Sequence, residues 1–208
     1  MNLWQNRSTV MADQPRREKL LDVADKLFRH YGPSKTTMAD VAREVGIGVG
    51  TVYLEFPSKD ALVEALSRRR YQAVLDAMKL ASEESGPRAA DRLAAVLTAR
   101  GMAFLATADE GAHACDLLHC GSDAVKTAKR GYHDDEKAIL RSILRDGAES
   151  GELDIPDLDA ALRVLVLAYT AFAPPWVLDL DRDTLEADLA AMHALVLNGL
   201  VRRPKKRA

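Results

Sequence analysis

Residues 36–59 read TTMADVAREVGIGVGTVYLEFPSK, from Thr36 to Lys59, and this stretch decides the fold. Met38, Val41, Ala42 and Val45 recur at the spacing of one buried helical face, and Thr37 followed three residues later by Asp40 forms a capping box that starts the helix. Gly46 supplies the permissive backbone that ends it. A second short helix then begins near Gly48 and runs through Val49, Gly50, Thr51, Val52 and Tyr53. Two short helices joined by a glycine turn form a helix-turn-helix, in which the second helix reads DNA.

Working outward, Leu20, Ala24, Leu27, Phe28 and Tyr31 mark a first amphipathic helix that ends at Gly32-Pro33. Pro57-Ser58 opens a fourth helix with Leu62, Ala65 and Leu66 on its inner face, which continues to about Glu84 before Ser85-Gly86-Pro87. Further helices are predicted at 88–107, 111–120, 123–149, 157–178 and 184–202. Asp157 caps the eighth, and Asp183 with Glu186 caps the ninth. No strand or repeat pattern competes. The expectation is an all-α chain of about nine helices. It comprises a flexible arm over 1–14, a helix-turn-helix domain over 15–60, a second helical domain over 61–202 and a basic tail over 203–208.

Composition narrows the function classes. With 48% hydrophobic and 29% charged residues the chain can bury a sizeable core, and it lacks the profile of a disordered protein. The nearly uncharged run Val164 to Leu178 is broken by Pro174 and Pro175 and is too short to span a bilayer. MNLWQNRSTV has no secretion-signal pattern and two cysteines make no disulfide framework, so a cytoplasmic location is expected, with Met11 as good a start as Met1. The net charge of −2 hides a polarity, because residues 1–70 hold 12 Lys and Arg against 9 Asp and Glu. The basic tail Arg202, Arg203, Lys205, Lys206, Arg207 can add nonspecific phosphate attraction.

Thr37, Val41, Ala42, Gly46, Ile47, Gly50, Thr51, Tyr53, Phe56 and Lys59, preceded by a helix ending in Tyr31-Gly32, resemble the TetR family of bacterial transcriptional regulators. The resemblance is specific over about 45 residues and architectural beyond them, apart from Gly151-Glu152-Leu153 before the eighth helix. It implies an all-helical homodimer whose N-terminal domain binds a double-stranded DNA operator and whose C-terminal domain binds an effector and supplies the dimer interface. By its analogy Thr37, Tyr53 and Lys59 are phosphate contacts, with Lys35 and Arg43 as additions. Gly48 and Gly50 allow close approach, Val49 is suited to a thymine methyl, and Thr51 to a hydrogen bond at a base or phosphate. The helix carries no Arg or Asn for bidentate base reading. Glu55 stands where the family usually has His or an aromatic, and Gly48-Val49 replaces a Ser and a polar residue, which weakens the expected attraction for phosphate.

The second domain offers apolar stripes, Leu162, Leu165, Val166 and Tyr169 on the eighth helix and Leu189, Met192, His193 and Val196 on the ninth, suited to monomer core or dimer seam. An effector pocket is expected among Phe104, Leu118, His119, Tyr132, Tyr169, Phe172 and Trp176, which favours an apolar or aromatic compound. Gly46 to Thr51 opens like a dinucleotide loop but has Thr51 in place of the third glycine and no preceding strand. No nucleophile elbow or zinc-protease motif is present, so no catalytic site and no cofactor are expected. An alternative sensing mode uses Cys115 and His119, which share a face if both lie on one helix, as two ligands of a metal or as a thiol redox site. His113 and Cys120 occupy another face. A further alternative is a small-molecule-binding protein with weak DNA affinity.

Overall fold

The computed structural model describes residues 5–111, 113–119 and 121–200, with the side chains of 5–15, 119, 199 and 200 outside the description. Among the described residues the chain is all-helical. The elements are α1 (Gln5–Tyr31), α2 (Met38–Val45), α3 (Val49–Glu55), α4 (Lys59–Glu84), α5 (Ala89–Ala108), α6 (Asp116–His119), α7 (Asp123–Glu149), α8 (Leu158–Ala168) and α9 (Arg182–Leu200). Two 3-10 turns, Thr170–Phe172 and Trp176–Asp179, lie between α8 and α9. α1 starts inside the stretch assigned to an arm. The basic tail, Cys120 and Met1 lie outside the described residues, as does the side chain of Met11.

The chain divides into two compact units. The first takes the chain up to Arg70 together with Asp109–Ala128, and the second takes Tyr71–Ala108 and the chain from Lys129 on. In the first, Leu20, Ala24 and Phe28 of α1 meet Met38, Val41 and Ala42 of α2, Val52 of α3 with Phe56, and Leu62 and Leu66 of α4 in one apolar core. Thr36 is buried at the α1–α2 connection, where its hydroxyl donates to the Gly32 carbonyl at 3.0 Å. Tyr31, expected on the inner face of α1, is instead half exposed, because its helix ends there and Gly32 turns the chain at φ +83°. Ser58 caps α4 by accepting from the Ala61 N–H at 3.0 Å.

In the second unit α5, α7, α8 and α9 bury Leu93, Val96, Leu97, Leu140, Leu144, Leu162, Leu165, Leu185 and Leu189. The Gly151-Glu152-Leu153 turn has a packing role here. The Glu152 carboxylate accepts the Ala89 and Ala90 N–H groups at 2.7 and 3.1 Å, closing the orphan donors of α5. Leu153 is buried against Gly147, where a Cβ would come within 2.5 Å of the Leu153 side chain. Asp157 caps α8 as its position predicts, by accepting from Ala160 N–H at 2.9 Å.

Three helix expectations are corrected. The helix predicted over 111–120 is reduced to Asp116–His119, because the preceding segment is drawn onto the end of α1: His113 N–H donates to the Arg29 carbonyl at 3.2 Å, and Gly111 at φ +146° passes so close to that carbonyl that a Cβ would lie 3.1 Å from it. The helix predicted over 157–178 ends at Ala168, since Pro174 and Pro175 lack the N–H that an uninterrupted helix needs, and the chain continues in two 3-10 turns. α9 begins at Arg182 and is capped by Asp181, whose carboxylate accepts from the Thr184 N–H at 2.7 Å, in place of Asp183.

Candidate nucleic-acid interface

α2 is fixed at both ends by its sequence. The Thr37 hydroxyl accepts the Asp40 N–H at 3.1 Å, and the Asp40 carboxylate accepts the Thr37 N–H at 2.9 Å and the Thr37 hydroxyl proton at 2.7 Å. These bonds from Thr37 hold the Asp40 carboxyl below the usual carboxylate range, with Arg43 adding its charge. At the other end Gly46 adopts φ +80°, and its N–H and that of Ile47 both return to the Ala42 carbonyl at 3.0 Å. The reversal carries the chain directly into α3.

α3 is held from behind and open in front. Val52 and Phe56 are buried in the core of the first unit, while Val49, Gly50, Tyr53 and Leu54 are exposed and share one face. An added Cβ would meet nothing within 4 Å at Gly48 or Gly50, so the backbone there is accessible to an approaching surface. Thr51 is partly exposed and Lys59 stands at the first position of α4.

Two arginines that the sequence reading did not single out organise the end of α3. Arg17 donates to the Glu55 carbonyl at 2.7 Å and its guanidinium lies 4.1 Å from the Phe56 ring centroid. Arg16 pairs with the Glu55 carboxylate at 3.6 Å, so the acid that departs from the family pattern is met by a cation and largely withdrawn from solvent. Arg17 shares the α1 face of Leu20, Leu21, Ala24 and Phe28, and that spacing was the signal available for it.

The remaining positively charged candidates surround a cleft of about 320 Å³ lined by Leu27, Tyr31, Lys35, Thr36, Asp40, Arg43 and Glu44. Lys35 and Arg43 are brought together there. Arg43 is mostly exposed and ion-paired to Asp40. Thr37 spends its hydroxyl proton and its N–H on the cap, and its hydroxyl oxygen accepts the Asp40 N–H, leaving one lone pair of that oxygen for a further donor.

The effector candidates divide between the units. Leu118 is buried in the first, and the side chain of His119 lies outside the described residues. In the second, Phe104 and Tyr132 pack with Tyr71 in an aromatic cluster with centroid distances of 4.8 to 6.4 Å. Beside it lies a buried polar network that the sequence reading missed. Arg100 donates through Nε to the Tyr132 hydroxyl at 3.2 Å and through Nη1 to the Tyr169 carbonyl at 3.1 Å, and it pairs with Glu136. Glu136 also accepts the Tyr132 hydroxyl at 3.1 Å and lies 2.9 Å from His133 Nδ1. Burial pushes the Glu136 carboxyl up, but the His133 hydrogen bond and the Arg100 charge outweigh it and hold the carboxyl below its ordinary range. Burial alone raises the Tyr169 phenol to about 12, and the Tyr169 hydroxyl meets His193 Nδ1 at 2.7 Å, with Thr98 at the other ring nitrogen at 2.9 Å.

Phe172 and Trp176 line an open groove of about 420 Å³ with Leu180, Ala191, Met192 and Leu195. The α8 and α9 stripes are resolved as core at Leu162, Leu165, Tyr169 and Leu189, whereas Val164, Leu167 and Leu195 are the exposed apolar residues of those helices. Cys115 lies in the turn immediately before α6, and the side chain of His119 is outside the described residues. The Cys115 thiol is pushed up by burial, and among the described residues no three His, Cys, Asp or Glu gather as a metal site. Among the described residues no helix is long and apolar enough to cross a membrane.

Residues 20–66, which contain all of this interface except Arg16 and Arg17, match the family model of bacterial regulatory proteins, tetR family. The HTH-type transcriptional repressor KstR2 of Mycolicibacterium smegmatis is 38% identical over 68 residues, covering 29% of this chain and 33% of the relative. The regulator TtgR of Pseudomonas putida is 35% identical over 60 residues, 29% of each chain. These alignments span about a third of the curated relatives' length. The fold likeness extends further: a TetR/AcrR family regulator from Thermobifida fusca aligns over 91% of this chain and 100% of its own, with a TM-score of 0.67 at 23% identity. FadR of Bacillus subtilis, solved in complex with stearoyl-CoA, aligns over 88% and 98% with a TM-score of 0.66 at 20% identity. The helix-turn-helix of α2 and α3 is thus similar in sequence to the DNA-binding segment of tetR family regulatory proteins, and the all-α architecture is similar in fold to solved regulators over nearly the whole chain.

Proposed function

We propose that this protein is a ligand-responsive, homodimeric transcription repressor that leaves a palindromic operator when a small molecule binds its second domain. The observation that carries the reading is α3 itself, locked by Val52, Phe56 and the capped α2, with Val49, Gly50, Tyr53 and Leu54 turned outward. Such a helix is built to enter the major groove. Tyr53, Lys59, Lys35 and Arg43, with the Thr37 hydroxyl oxygen facing solvent-borne donors, are assigned to the sugar-phosphate backbone or its hydration, and Gly48, Val49, Gly50 and Thr51 to the groove floor. Residues 15–60 carry this role and 61–202 carry effector binding and dimerisation.

Support for the dimer comes from Val164 and Leu167 on α8 and Leu195 on α9, apolar side chains left exposed on helices whose other faces are core. An isologous pairing through them matches a two-fold operator. The effector reading rests on the buried aromatic pairs Phe104–Tyr132 and Tyr169–Phe172 with the groove at Trp176, which favours a mostly apolar or aromatic compound. A ligand releases DNA only if it binds the DNA-incompetent dimer more tightly.

The test is operator binding by Tyr53→Ala and Lys59→Ala at several salt concentrations. Each variant is expected to weaken binding while leaving the dimer folded, and Lys59→Ala is expected to lower the salt slope by about one counterion. Unchanged affinity and slope in both would remove these residues from the interface.

A further inference from the structure

The exposed face of α3 has an unusual chemistry for a base-reading helix. Leu54 is 85% exposed, the most exposed large apolar side chain among the described residues of the first unit, and Val49 is 44% exposed. The other groups on the helix able to recognise a base by hydrogen bonding are few. Glu55, the single charged residue of α3, is turned back onto Arg16, and its carboxylate is too covered to accept from a cytosine amine. Tyr53 carries one hydroxyl and Thr51 another, and neither can form the two-point contacts by which Arg reads guanine or Asn reads adenine. Gly50 between them removes the side chain that would hold the backbone off the groove floor.

An exposed Leu on a water-facing helix is a cost unless something apolar covers it, and the major groove offers one apolar group, the thymine 5-methyl. We infer that Val49 and Leu54 read the operator through thymine methyl groups, so that the half-site is specified by T·A pairs at the positions facing these two side chains. Five residues of helix separate them by about 7.5 Å along the axis, so they address different base pairs. The inference rests on the DNA-binding reading given above and names what that interface recognises.

The test acts on the DNA rather than on the protein, which avoids any effect on folding. A duplex is selected from a randomised pool by the purified protein, and the winning sequence is resynthesised with deoxyuridine in place of each thymine in turn. Deoxyuridine keeps every hydrogen-bonding group and deletes only the methyl. At the two thymines facing Val49 and Leu54 binding is expected to weaken about fourfold each, the worth of one buried methyl group. In Leu54→Ala one of those two losses is expected to disappear while the other persists. If the selected duplex is bound specifically yet every deoxyuridine substitution leaves the affinity within twofold, the methyl readout is wrong and the regulator reading stands. If losses occur but Leu54→Ala and Val49→Ala leave them all unchanged, other residues read the methyls and the assignment is overturned. If no sequence is enriched, the DNA-binding reading itself falls.

Discussion

Replacing Glu136 by Gln removes one charge from a pair whose side chains are 3% and 1% exposed at Arg100 and Glu136. The amide oxygen can still accept from the Tyr132 hydroxyl and from Arg100, but every partner of the buried guanidinium, the amide, the Tyr132 oxygen and the Tyr169 carbonyl, is then neutral. Leaving a buried charge uncompensated costs about 3–5 kcal/mol. For a chain of this length each kcal/mol moves the thermal midpoint by about 2–4 °C, so a drop of roughly 6–20 °C is expected. The companion Arg100→Met/Glu136→Leu removes both charges and is expected to recover most of that loss, because an apolar replacement of a buried pair is often neutral. What it fails to recover belongs to the Tyr132 hydroxyl, which loses both partners at a cost of about 1–3 kcal/mol. The assay is urea and thermal unfolding at fixed protomer concentration, since the midpoint of the proposed dimer would depend on it. The folded carboxyl of Glu136 is held below its ordinary range, so its contribution is present above the unfolded carboxylate range and is lost as pH falls through the lower folded value. Glu136→Gln should therefore flatten the acid limb of the stability curve. A double variant as unstable as the sum of the two single changes, with an unaltered acid limb, would show that the two charges do not interact.

Thr37→Ala removes the hydroxyl that caps α2 and should lower the urea midpoint at unchanged slope by an amount worth about 1 kcal/mol; no shift would mean that the box seen at Asp40 does not support the helix. Gly147→Ala puts a Cβ 2.7 Å from that of Ala89 as well as against Leu153, and this overpacking, about 1–3 kcal/mol, should outweigh the gain in helix propensity and destabilise, whereas a stabilised variant would show that the turn yields. His193 is held neutral by burial, its folded pKa lying below the ordinary histidine value, so stability should rise with pH through that window as the unfolded chain gives up its proton. His193→Gln should reduce that rise relative to the unmutated protein, and an identical profile would contradict the assignment.

The helix-turn-helix was legible because its signals are local. Thr37, Asp40 and Gly46 act on residues within four positions of themselves, and the apolar spacing of Met38, Val41 and Ala42 needs only one helix to be seen. Reading failed where distant partners decide. The helix foreseen over 111–120 is displaced by the Arg29 carbonyl, more than eighty residues earlier in the chain, whereas the early end of α8 had a local signal in Pro174 and Pro175 that the predicted range 157–178 ran past. Arg17 announced itself by its place on the apolar face of α1, but its partners, the Glu55 carbonyl and the Phe56 ring, lie nearly forty residues away and are not named by that spacing. Arg100 and Glu136 sit at apolar positions of their helices, Arg100 in step with Leu93, Leu97 and Phe104 and Glu136 with Tyr132 and Leu140, yet a charge on an inner face announces a partner without naming it.

The most direct measurement is selection of genomic fragments from the source organism by the purified protein at near-physiological salt. The account predicts recovery of a common palindromic site whose half-sites lie about one helical turn, or a multiple of it, apart. Binding that is independent of sequence and disappears as salt rises would contradict it.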